Sequence, residues 1–207
     1  MCWSAKVSLN TYIVAVFGTL FALVNGAPIN MVVWLHIFSM MQLAEYFIWK
    51  NIKDPDWNRI ASSFGLFILV LEPIASMFLM EPGSLRNIFM IAYVAYLLLV
   101  LFLYYPWSPR TGVAKNGHLQ WLWQNAEMPF IFNIIWVSFF ILPLFFSKHY
   151  LLGIIAVVTV LITMYTYNKH GTWGSMWCWI ANFAWLFIIG FIALDQCFGK
   201  VICNKKE

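Results

Sequence analysis

The run MVVWLHIFSMMQLAEYFIWK, Met31 to Lys50, decides the fold class. A helix of about 20 predominantly apolar residues crosses the hydrocarbon of a bilayer, and this run has that length. Inside it stand His36, Gln42 and Glu45, polar side chains that lipid does not accept without a partner. Gln42, Glu45 and Trp49 recur at spacings of three and four, so they share one side of a helix with Phe38. That side has to face protein or a water-filled cavity, and the run is read as a membrane span carrying a polar seam.

The rest of the chain agrees. Of 207 residues, 63% are hydrophobic and only 10% charged, too few charges to cover the surface of a soluble protein of this length. A mean hydropathy of +0.79 points the same way. The net charge of +4 suits loops that meet anionic headgroups and is too small and scattered for a nucleic-acid footprint, so nucleic acid is excluded as a partner. Twelve Trp and nine Tyr fit side chains placed at the headgroup boundary, although several stand deeper than an aromatic belt requires. The expected fold is all-α: a single integral membrane domain over residues 1–207, a polytopic helical bundle with the lipid bilayer as its first partner. Oligomerisation stays open, as does the identity of the membrane.

Seven apolar segments follow one another: Leu9–Gly26, Asn30–Lys50, Ile60–Met80, Asn87–Tyr105, Pro129–Phe146, Tyr150–Tyr167 and Trp173–Cys197. Pro28, Asp54–Pro55–Asp56, Glu81–Pro82–Gly83, Lys148 and Lys169–Gly171 interrupt hydrophobicity at the turns between them. Asn25–Ala27 leads almost directly into the second segment, so the first is expected to be a mature helix and not a cleaved leader. The connection of residues 106–128 is the one long enough to act as a lid, and HLQWLWQNAEM within it reads as a short interfacial helix or as a flap over the bundle. Alternation puts Lys6, Lys50, Lys53, Arg59, Arg110, Lys115 and Lys169 on one side, against Arg86, Lys148, Lys200, Lys205 and Lys206 on the other. Seven against five leans toward a cytoplasmic N-terminus. Cys2, Cys178, Cys197 and Cys203 form no paired framework; for Cys197 and Cys203 a disulfide, lipidation or two free thiols stay open, free thiols being the plainer reading.

Glu45 and Glu72 are the residues on which a function can rest. An ionised side chain at mid-span costs about 2.5–3.5 kcal/mol by insertion scales, and no Lys or Arg lies deep in any segment to neutralise either acid. Protonation, polar side chains or an external cation are left as partners. Ser62, Gly65, Leu69, Glu72 and Ser76 fall on one side of the third segment, and Pro73 frees a backbone carbonyl beside Glu72 that a cation could use. Gln42 can orient the Glu45 carboxylate. In the seventh segment Ser175, Cys178, Asn182 and Trp185 share a side, with Trp177 crowded near them. Glu45, Glu72, Gln42, Asn182, His36, Trp49, Ser175, Trp177 and Trp185 form the candidate substrate or ion-binding set. Trp49, Trp177 and Trp185 with the two acids have the composition of a cage for an organic cation or amphiphile. Packing is the plainer reading of each tryptophan, helix-to-helix bonding that of Asn182 and His36, and a buried structural hydrogen bond that of the acids. No HExxH, CxxC or GxSxG occurs, so no metal site, cofactor or assigned catalytic residue is expected.

MQLAEYFIW (Met41–Trp49), LEP (Leu71–Pro73) and GTWGSMWCWIAN (Gly171–Asn182) resemble segments of multi-span membrane proteins from large DNA viruses and single-celled eukaryotes. The resemblance implies the membrane architecture alone, leaves a cellular or viral membrane open, and carries no activity onto Glu45, Glu72 or Asn182. Seven spans also invite comparison with rhodopsins, but the interior of the last segment has no lysine for a retinal Schiff base. The leading expectation is a transporter or channel-like protein with an acidic intramembrane site for a small cation, a proton-coupled solute or an organic cation. A lipid-modifying intramembrane enzyme pairing Glu45 or Glu72 with His36, His118 or His170 is the alternative, and a nonenzymatic membrane scaffold the third.

Overall fold

The structure is a computed structural model that describes residues 4–104, 108–122, 128–183, 186 and 189–190. Its helices begin and end where local chemistry directs. Helix α1, Ala5–Val24, is capped by the Ser4 side chain accepting from the Val7 N–H at 3.3 Å, and stops at Gly26, whose φ of 76° a side chain would oppose. After Pro28 comes α2, Ile29–Lys50. Asp54 caps α3, Pro55–Met77, by accepting from the N–H groups of Asp56 and Trp57, with Pro55 in the first turn. Helix α4 is Ser84–Tyr104, α5 is Phe130–Phe146, α6 is Tyr150–Tyr167 and α7 is Trp173–Ala181. A single 3₁₀ turn, Asn168–His170, joins the last two through Gly171 at a φ of 64°.

Five of these helices, α1 to α4 and α6, are long and apolar enough to cross a bilayer. The chain is an integral, multi-pass membrane protein. The seven crossings expected from hydropathy are not all of that length: α5 has 17 residues, the lower limit for a span, and α7 is described for nine. The remainder of the seventh segment lies largely outside the described residues, as do Trp185, Cys2, Cys197 and Cys203.

Burial orders the helices around α2 and α3. Just over half of each is buried, against 6% of α4 and 22% of α1 and α6. Helix α2 packs between α1 and α3, α3 also meets α5, and α7 lies against α6 and α2. At the α2/α3 crossing a Cβ on Gly65 would lie 3.6 Å from the Met41 sulfur and 3.7 Å from the Ala44 Cβ, so Gly65 faces these two side chains of α2. Helix α4 is nearly all lipid-facing; Tyr93 is its one buried residue, and its hydroxyl donates to the Val70 carbonyl at 3.0 Å.

One segment departs from expectation. Thr111–Val113 (β1) and Leu119–Trp121 (β2) form an antiparallel hairpin, so Leu119–Trp121 is extended chain and not part of an interfacial helix. The turn runs through Asn116–Gly117, with Gly117 at a φ of 78°. Leu119 and Trp121 alternate inward, Leu119 onto Ile48 and Ala61, which lays the hairpin over the ends of α2 and α3. The Trp123–Glu127 part of the expected helix lies outside the described residues.

Candidate functional site

The polar seam foreseen on α2 and α3 is closed off from the surroundings. Gln42, Glu45, Ser62, Glu72 and Ser76 are all fully buried. At one end Trp34 Nε1 donates to Ser76 Oγ at 2.7 Å. At the other, Asn58 and Thr111 exchange two bonds of 3.0 Å, the Asn58 amide donating to the Thr111 carbonyl and the Thr111 N–H donating to Asn58 Oδ1. Ser62 joins this clamp through Thr111 Oγ1 at 2.9 Å. The hairpin is thereby tied to the seam by buried hydrogen bonds.

The two acids occupy different levels. Gly65 abuts Met41 and Ala44, and Ser76 bonds Trp34, so in these antiparallel helices Glu72 stands level with the Ile37–Phe38 turn of α2. Glu45 lies seven or eight residues further along, roughly 11 Å at 1.5 Å per residue, and the two carboxyls are within Coulombic reach of each other. Their surroundings differ as well. Glu45 Oε2 accepts from Gln42 Nε2 at 3.0 Å, one turn away on the same helix. Neither oxygen of Glu72 has a hydrogen-bond partner among the described residues.

Pro73 explains part of this arrangement. Its missing N–H frees the carbonyl four residues back, that of Leu69, and Trp136 Nε1 from α5 donates to that oxygen at 3.0 Å. The carbonyl that the sequence offered to a cation is therefore already satisfied by an indole. Tyr93 takes the next carbonyl, Val70. Glu72 is the group left over in this turn.

Comparison with protein-family models, curated proteins and solved structures finds no match for this chain. Function has to be read from the chemistry of the site.

Several sequence candidates lie elsewhere. His36 faces α1: its Nδ1 is 3.1 Å from Thr19 Oγ1 and its ring 6.0 Å from that of Tyr12. Trp177 sits in an aromatic cluster with Phe38, Trp136 and Phe140, at ring separations of 6.0, 6.2 and 5.3 Å, and donates to Thr159 Oγ1 at 3.1 Å. Its ring is enclosed by other rings. Trp49 packs beside Ile48, Ala61 and Leu119, its indole N–H buried without a hydrogen-bond partner among the described residues. Ser175 is buried in the first turn of α7, its hydroxyl likewise without one. Asn182 donates to the Cys178 carbonyl at 2.6 Å and lines a cavity of about 390 Å³ between α1 and the end of α7, away from the α2/α3 seam. His118 is buried in the hairpin with its ring edge toward Tyr167; burial holds its imidazole below the usual value, and the neighbouring His170 adds to the effect.

Asn58, Thr111 and Trp34 belong to the seam and escaped sequence reasoning. Asn58 carried a signal, since it stands four residues before Ser62 on the same helix face. Thr111 carried none, because its partner is 53 residues away.

Proposed function

We propose that this protein is a membrane transporter or channel-like protein that moves protons through the acidic seam between α2 and α3. The observation that carries the reading is Glu72: a carboxyl wholly buried in the bundle, with neither oxygen hydrogen-bonded among the described residues. An ionised carboxylate left in that setting costs several kcal/mol, so the group is neutralised by a proton or by a small bound cation. The closed seam favours the proton, which needs no cavity. Gln42 and Glu45 form a second polar station roughly 11 Å along the same interface. The Ser62, Asn58 and Thr111 network leads from the Glu45 level toward the hairpin. In this reading Glu72 and Glu45 exchange protons, Gln42 orients Glu45, and opening at the Pro73 turn admits water from one side at a time.

Topology belongs to the same proposal: with α5 and the segment beginning at Trp173 counted as crossings, the chain spans the membrane seven times. An organic cation is less well served, because Trp177 is buried among Phe38, Phe140 and Trp136. A lipid-modifying acid/base pair with His36 is also less well served, because that imidazole is turned toward α1.

The test is proton flux in proteoliposomes loaded with a pH-sensitive dye and driven by a potassium diffusion potential. Wild-type protein is expected to conduct, Glu72→Gln to abolish the flux while still folding, and Glu45→Gln to slow it. Undiminished flux in Glu72→Gln overturns the reading.

A further inference from the structure

A second site lies at the membrane surface, away from the acidic seam. A cavity of about 620 Å³ opens between the hairpin, the start of α5 and the 3₁₀ turn after α6. Lys115, Lys169, His170 and Asn168 line it, and no Asp or Glu stands among its described lining residues. Phe130, the first residue of α5, is part of the wall, and that helix has no side-chain cap, so its N-terminal N–H groups add positive potential at the same place. Lys50 and Lys53, at the connection between α2 and α3 over which the hairpin lies, stand at the same end of the bundle.

Below this cavity runs a narrower apolar groove of about 170 Å³ between α3, α4 and α5. The two spaces share Met128 and Asn133 in their walls. Tyr96, Val100 and Tyr104 mark the groove along α4, a length of roughly 12 Å at 1.5 Å per residue. One leaflet of the hydrocarbon is about 15 Å deep, so the groove has nearly the depth of a leaflet. It exists because α4 touches the bundle sparsely, burying Tyr93 alone.

We propose that the cavity and groove together bind one anionic phospholipid, its phosphate between Lys115, Lys169 and His170 and one acyl chain between α4 and α5. A basic chamber at the interface, with no acid among its described lining residues, recognises the phosphate, and the apolar slot that shares two of its wall residues recognises the chain. Neither half alone specifies a lipid; their junction at Met128 and Asn133 does. The site is a binding site and is independent of proton movement through Glu72.

The experiment uses the purified full-length protein in detergent and three probes: dioctanoyl phosphatidic acid, dioctanoyl phosphatidylcholine and inorganic phosphate. Binding is read by native mass spectrometry and by the thermal shift each probe produces. The phosphatidic acid is expected to bind one per chain and to stabilise, and the other two to do neither. Lys115→Gln with Lys169→Gln is expected to weaken it about 30-fold, at roughly fivefold for each lysine that meets an anionic headgroup. Val100→Trp, which fills the groove and leaves the lysines in place, is expected to weaken it comparably. Equal binding of phosphatidylcholine, or no loss in the double lysine variant, overturns the headgroup assignment. Inorganic phosphate stabilising as well as phosphatidic acid, or wild-type lipid affinity in Val100→Trp, overturns the acyl-chain assignment in favour of a free-anion site.

Discussion

Replacing Glu72 with methionine should stabilise this protein. Methionine has nearly the length and volume of glutamate, adapts to irregular space and brings no polar atom, so the substitution removes the buried carboxyl without opening a cavity. Both Glu72 oxygens are buried without a hydrogen-bond partner among the described residues. The penalty for a buried unsatisfied polar group is about 1–3 kcal/mol, and this is the gain expected from Glu72→Met. Glu45 supplies the internal control. Its Oε2 accepts from Gln42 Nε2 at 3.0 Å, so Glu45→Met leaves the Gln42 amide stranded and should cost about 1–2 kcal/mol. Two acids on one interface therefore respond with opposite signs. Reversible unfolding in bicelles, followed by steric trapping, reads both changes on one scale. Destabilisation of Glu72→Met by 1 kcal/mol or more, about the net worth of one hydrogen bond, would show that Glu72 is a structural hydrogen-bonding residue, and the reasoning fails.

Three other outcomes follow from local geometry. Asn58→Ala removes two of the three bonds that hold Thr111 and should loosen the hairpin by about 2–3 kcal/mol, read as faster proteolysis at Lys115; unchanged cleavage would mean that the Asn58 bonds are dispensable. A Cβ on Gly153 would come within 2.9 Å of the Phe145 ring, whereas one on Gly65 meets only ordinary contacts, so Gly153→Ala should destabilise by about 1–3 kcal/mol and Gly65→Ala should not; equal thermal stability of the two variants contradicts this. His118 titrates below its ordinary value of 6.5 because it is buried, so the folded hairpin favours the neutral ring. Its contribution is complete above the unfolded value and is lost as pH falls toward the folded one, so hydrogen exchange of residues 111–121, corrected for intrinsic rate, should quicken on acidification in wild type and stay flatter in His118→Gln.

The membrane bundle was legible because hydrophobic runs of span length are a property of composition alone, and the seam was legible because Gln42 and Glu45, or Ser62, Glu72 and Ser76, repeat at helical spacing. Two features were beyond such reading. The partner of Glu45 was legible, since Gln42 stands one turn before it on the same helix, but only the packing of the bundle shows that Glu72 is left without a bond among the described residues. The carbonyl freed by Pro73 could be foreseen, but not its capture by Trp136, which lies 67 residues away. The hairpin is different, since Asn116–Gly117 between Thr111–Val113 and Leu119–Trp121 is a recognisable turn signal. The tryptophans around it drew attention to an interfacial helix instead. The number of crossings blurs for a physical reason as well, because the 17 residues of α5 sit at the shortest length that spans hydrocarbon.

The central claim is that Glu72 holds an exchangeable proton inside the bundle. Infrared difference spectroscopy of the protein in liposomes tests it directly, by comparing wild type with Glu72→Gln in H₂O and in D₂O while a pH gradient is applied. A protonated-carboxyl C=O band that is absent from the variant, and that shifts on deuterium exchange when the gradient drives flux, is the predicted result. Wild-type and variant spectra without any difference in that region, or a band that never exchanges, would contradict the claim.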